Sequence, residues 1–118
     1  MEANLINEHI LSRHVGLSDQ QLIQRLQEHP GLSMTSTFPN QETAEKVIAA
    51  ILYKNEKKIK KWQKIAPTGS RLTLKKRFLR VIGRGIYRGD KKVRNRKKAK
   101  LILMKNENQV HVLTAYPI

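Results

Sequence analysis

The chain has 118 residues and no cysteine, and its 24 Lys and Arg against 9 Asp and Glu give a formal net charge of +15. Without cysteine, neither a disulfide framework nor a thiolate metal site is available, so one core has to hold a fold of this length, in a reducing cytoplasm as elsewhere. No basic-then-apolar leader opens the sequence, and its longest aliphatic run, residues 47–53, is far too short for a bilayer span; any export is expected to depend on something outside this chain.

Residues 3–13 read as a first helix with Leu5, Ile6, His9 and Ile10 within one arc, which makes His9 a packed, hydrogen-bonded histidine. Gly16 closes that helix and leaves His14 at the junction. Ser18 and Gln21 then form a Ser-x-x-Gln capping box, which predicts a second helix from Ser18 to the stop at His29-Pro30-Gly31, with an apolar stripe of Leu22, Ile23 and Leu26. Arg25 lies beside that stripe, not opposite it, so its head reaches the rim of whatever the stripe covers. Residues 33–38 alternate weakly and predict a short edge strand before Pro39. Asn40 caps the longest predicted helix, residues 41–64. Its stripe is Ala44, Val47, Ile48, Ile51, Leu52, Ile59 and Trp62, with Lys54, Lys57, Lys58, Lys60, Lys61 and Lys64 on the other side.

Residues 66–70 break the helical pattern, and from Arg71 onward the chain turns β-like. The charge divides earlier: residues 1–53 carry three basic side chains against six acids, and residues 54–118 carry 21 against three. A basic half of this size joined to a slightly acidic one points to a polyanion, and to nucleic acid first. Strands are predicted near residues 71–74, 79–88, 99–105 and 109–116, with Gly83 and Gly85 as bulge or bend positions and Asn106-Glu107-Asn108 closing a hairpin. Gly83-Arg84-Gly85 lacks the downstream glycine and helix start of a phosphate loop. Residues 91–100, basic at seven of ten positions, read as either a solvated loop or the main RNA-facing lip. The expected phosphate contacts are Lys54, Lys57, Lys58, Lys61, Arg84, Lys91, Lys92, Arg94, Arg96, Lys97 and Lys98. Helices followed by an antiparallel sheet make the class α+β, as one domain over residues 1–118. On the last strand, alternation places Val110, Val112, Thr114 and Tyr116 on one face and turns His111 to the other.

The order of His9, Arg13-His14-Val15-Gly16, the Leu22/Arg25-Leu26 helix, Ser36-Thr37-Phe38, Thr43-Ala44-Glu45, Trp62, Gly83-Arg84-Gly85 and the terminal Thr114-Ala115-Tyr116-Pro117 resembles the ribonuclease A-like toxin domain of bacterial contact-dependent growth inhibition effectors of the CdiA type. The resemblance implies a disulfide-free ribonuclease A-like fold, with N-terminal helices packed on a C-terminal twisted antiparallel sheet. It also implies metal-independent RNA cleavage at His14, Arg25, Thr114 and Tyr116, with no cofactor and with transfer RNA among the candidate substrates. Such a domain forms the C-terminal part of a secreted or cell-surface effector and acts in the cytoplasm of the target bacterium. The maker then needs a cognate immunity protein, expected to be acidic because opposite fields speed encounter.

The residue chemistry is consistent with that implication. Metal-free cleavage uses the RNA's own 2′-hydroxyl as nucleophile and needs a base, an acid and a cation for the phosphorane. His14, titrating near neutrality, serves as base; Arg25 offers a fork of donors to the phosphoryl oxygens; Thr114 donates to the same oxygens; Tyr116, a sluggish acid, protonates the departing 5′-oxygen or binds phosphate. The competing class is a non-catalytic basic RNA binder of the ribosomal-protein type, which has no need for these four groups to converge. Scattered acids argue against a metal nuclease, and six aromatic residues are too few for a stacking platform.

Overall fold

The computed structural model describes residues 7–118. In chain order the elements are α1 (Glu8–His14), α2 (Asp19–Glu28), β1 (Met34–Thr37), α3 (Gln41–Lys54), α4 (Glu56–Ile65), β2 (Arg71–Arg77), β3 (Gly83–Tyr87), β4 (Arg94–Arg96), β5 (Lys98–Asn106) and β6 (Gln109–Pro117). The expected start of the first helix, with Leu5 and Ile6, lies outside the described residues. Two antiparallel three-stranded sheets form, ordered β1-β3-β4 and β2-β5-β6, which is the α+β class expected.

Local signals read from the sequence account for the helix starts. The Ser18 side chain accepts the Gln21 N–H while the Gln21 side chain accepts the Ser18 N–H, a complete capping box. Asn40 caps α3 through the Thr43 N–H at 2.8 Å. Between α3 and α4 the expectation of one long helix fails at Asn55. Its side-chain amide donates to the Ile51 carbonyl at 2.8 Å, competing with the helical ladder, and its backbone leaves helical geometry. The apolar stripe nevertheless continues across the break: Ala44, Val47, Ile48 and Ile51 are buried, and Leu52, Ile59 and Trp62 pack against them.

The main core lies between α3 and the inner face of β2-β5-β6, where Leu74, Ala99, Leu101, Leu103, Val112 and Ala115 meet Ile10, Phe38 and the α3 stripe. A smaller cluster of Leu22, Leu26, Ile86 and Val93 joins α2 to β1-β3-β4. Gly83 and Gly85 are not bulges: they sit in the regular register of β3, where a Cβ on Gly83 would fall 2.4 Å from the Pro117 ring and one on Gly85 2.9 Å from Ser36. Only glycine lets β3 approach β1 and the end of β6 so closely. The expected basic loop at residues 91–100 is in part strand, holding β4 and the start of β5. No described helix is long and apolar enough to cross a membrane.

Candidate active site

Two contacts hold α1 in place. At its start the Asn7 side chain accepts the Ile10 N–H at 2.9 Å and donates to the Val112 and Leu113 carbonyls of β6. At its end the His14 carbonyl accepts the Phe38 N–H, and Val15 bridges to Phe38. His14 is thus fixed between β1 and β6. Its Nδ1 lies 3.4 Å from the Ser36 carbonyl, which can only accept, so Nδ1 carries the proton and Nε2 presents its lone pair. The ring stacks on Tyr116 with centroids 5.1 Å apart at 27°, and His9 meets its edge at 5.7 Å. His9 is exposed beside His14, not packed in the core as expected.

Tyr116 reaches this place because of an irregularity that alternation does not reveal. Ile102 pairs with Thr114 and Leu103 with Val112, so Leu113 is an extra residue, and the extra residue reverses the two-residue phase of β6. Val112, Ala115 and Pro117 therefore point inward, while His111, Thr114 and Tyr116 share the outward face. The expectation that Val112 and Tyr116 share a face, with His111 turned away from it, is overturned for this reason. The same bulge brings Lys100 opposite Tyr116, with its ammonium 5.8 Å from the ring; counting back from the turn would have paired Lys100 with Ala115. The Thr114 and Ser36 hydroxyls are buried without a protein partner. Such groups are rare and costly unless something else uses them.

Arg25 stands on α2 at the edge of a groove of about 470 Å³ shared with Arg13, Glu28, His29 and Leu32. Among the described residues no carboxylate pairs with it. Burial lowers its pKa, and its charge in turn lowers those of His14 and His9. Burial is the larger cause for His14, whose pKa falls from the ordinary 6.5 to about 4 even though the Ser36 carbonyl opposes the shift. Titration near neutrality is the expectation from the sequence; the structure instead keeps this imidazole neutral well below pH 7, with Nε2 unprotonated.

A pH profile follows from these signs. With His14 as the general base that the sequence leads one to expect, kcat/KM of the free protein holds down to an acid limb near pH 4. A bound phosphate beside the ring favours the imidazolium, so the acid limb of kcat lies at higher pH than that of kcat/KM. The lowered pKa also makes the unfolded chain take up this proton first as pH falls from 6.5 towards 4, so His14 contributes a loss of stability across that window. Steady-state profiles of wild type, with thermal melts of wild type and His14→Gln across the same range, check both; coincident limbs at neutral pH would contradict the shift.

The expected RNA contacts divide. Lys54, Lys57, Lys58, Lys61, Lys91, Lys92, Arg94 and Lys97 are exposed, and Lys98 is half-buried at the start of β5. Arg84 and Arg96 are already engaged within the protein. The Arg84 fork grips Asp19 at 2.9 and 2.7 Å and Asn95 at 2.7 Å. Arg96 bonds the Gly85 carbonyl and lies over the Tyr87 ring. Arg88 and Lys105 are likewise structural: Arg88 holds the Leu26 and His29 carbonyls at the end of α2, and Lys105 those of Gln63 and Ala66 at the end of α4. Among the described residues, no three His, Asp or Glu side chains gather where they could hold a metal ion.

Helices against two antiparallel three-stranded sheets, held without cysteine, define an α+β domain of ribonuclease A-like fold, with His14 and Arg25 on its helices and Thr114 and Tyr116 on β6. The comparisons agree. Residues 8–117 match the model of the family described as bacterial CdiA-CT RNAse A domain, and the chain belongs to that family. The fold is similar to the crystal structure of a CdiA-CT/CdiI complex from Y. kristensenii 33638, with a TM-score of 0.83 and 25% identity over 93% of this chain and 98% of that one. No curated protein matches the chain.

Two residues at the site escaped the sequence reading. Ser36 was hidden because its main chain, not its side chain, orients His14. Lys100 was hidden by the bulge at Leu113, which no local pattern announces.

Proposed function

We propose that this chain is the ribonuclease toxin at the C-terminal end of a CdiA-type cell-surface effector, acting in the cytoplasm of a target bacterium and cutting RNA without a metal ion. The observation that carries this reading is the His14–Tyr116 stack beside the unpartnered Thr114 hydroxyl. His14 Nε2 takes the proton of the 2′-hydroxyl as that oxygen attacks the adjacent phosphorus. Arg25 and Thr114 donate to the non-bridging oxygens as charge builds, and Tyr116 delivers a proton to the departing 5′-oxygen. The bond to the 5′-oxygen breaks and the product ends in a 2′,3′-cyclic phosphate.

The Y. kristensenii structure is of a complex with CdiI; by that likeness this chain has a cognate immunity protein. A partner for a chain of +15 gains association rate by being acidic. The test of the chemistry is incubation of the purified protein with total RNA, and separately with transfer RNA, in excess EDTA. Cleavage persists and the new 3′ ends are cyclic phosphates. Activity that disappeared in EDTA and returned with magnesium would overturn the mechanism.

A further inference from the structure

Antiparallel register lays cations in rows across β2 and β5 that end at the site. Lys75, Lys100 and Tyr116 occupy one row, and Arg77 and Lys98 the next. The alternate residues of these strands, Leu72, Leu74, Ala99, Leu101 and Leu103, belong to the core, so the cations stand on the outward face. Lys75 and Arg77 are exposed, and Lys98 and Lys100 half-buried. The Lys100 ammonium over the Tyr116 ring makes that face continuous with the site.

This arrangement works against the fold. Lys75 lies directly opposite Lys100, and Arg77 opposite Lys98. Like charges so placed are destabilising. The ion pairs among the described residues are Glu42–Lys46, Glu56–Lys60, Asp19–Arg84 and Asp90–Arg96, and none neutralises these four cations. Solubility alone is served by mixed signs without repulsion. A polyanion laid across the rows removes the conflict, and local rules are broken in this way where a site needs it.

We propose that the outward face of the β2-β5-β6 sheet is a phosphate track for the RNA strand flanking the scissile bond, with Lys100 at the site and Lys75, Arg77 and Lys98 beyond it. From Tyr116 to Lys75 is two interstrand steps, about 10 Å, so the track holds phosphates of the strand being cut. The proposal rests on the reading of this chain as a ribonuclease and locates the binding surface on the sheet, where the sequence points to the α4 lysines and to residues 91–100, Lys98 among them.

The test compares two variants of the full chain that lose equal charge, Lys75→Gln/Arg77→Gln/Lys98→Gln on the sheet and Lys57→Gln/Lys58→Gln/Lys61→Gln on α4. Each is measured for kcat and KM on a single-stranded oligoribonucleotide. Each is also titrated, by anisotropy across salt, against a fluorescein-labelled 2′-O-methyl oligonucleotide that lacks the nucleophile. In the sheet variant KM and Kd rise about tenfold and the slope of log Kd against log salt flattens by about 2, the value for three lost phosphate contacts on a single strand, while the α4 variant shifts less in both. The sheet variant also melts at a higher temperature, because its like-charge pairs are gone; lower melting would contradict the repulsion on which the track is argued. A sheet variant that binds as tightly as the α4 variant overturns the track. Wild-type protein that binds the labelled strand through the sheet but cuts no RNA supports the track and overturns the ribonuclease reading instead.

Discussion

His14→Ala lowers kcat on RNA by about a hundred to ten thousand-fold, the range for removal of a positioned general base. Three features of the site make this the largest single effect expected. The carbonyl of Ser36 fixes the proton on Nδ1, burial holds the ring neutral, and Tyr116 holds the ring plane, so no other group among the described residues stands in the same place and geometry. His9 lies at the ring edge but on the exposed side. The domain stays folded, because the main-chain bond from Phe38 N–H to the residue 14 carbonyl survives the substitution. Rates are measured at saturating RNA and folding by thermal melt, with binding of the 2′-O-methyl strand as control. A folded variant retaining more than about a tenth of wild-type kcat would remove His14 from the role of base.

Arg25→Ala costs about a hundred to a thousand-fold in kcat/KM, as expected when one donor to a developing phosphorane is lost, and Arg25→Lys recovers little, since a point charge does not reproduce the planar fork. A second readout separates this role from a merely structural one. The Arg25 charge is one of the causes that lower the His14 pKa, so its removal moves that pKa upward from about 4. NMR titration of His14 in wild type and Arg25→Ala gives the shift directly. An unchanged titration together with unchanged cleavage would place Arg25 at the rim of its groove, with no part in the chemistry.

The features legible in the sequence are those that neighbours along the chain decide. The capping box at Ser18 and Gln21, the Asn40 cap, the α3 stripe and the turn between Asn106 and Gln109 each involve groups a few residues apart, and each formed where the pattern placed it. The excess of cations after residue 53 is likewise a property of the sequence alone, as is His14 at a helix end. Which cations remain available to a ligand is not. Arg84, Arg88 and Lys105 meet their partners 65, 62 and 42 residues away, and only the folded chain shows that they are already engaged.

The site itself depended most on tertiary structure. One unpaired residue, Leu113, decided that Thr114 and Tyr116 face outward and that Lys100 rather than its neighbour meets the phenol. A bulge is a compromise between two strands and leaves no periodic trace in either of them. The Asn55 break has the same character, since an asparagine within an otherwise helical pattern can turn its amide outward or claim the carbonyl of Ile51. The pKa of His14 is set by how much water the surrounding elements exclude and by charges on another helix. The sequence therefore determined the residue types, the helix caps and the polarity of the two halves. Register, desolvation and long-range charge placement were decided only when the sheets closed, because each is a property of pairs of groups whose separation along the chain says nothing about their separation in space.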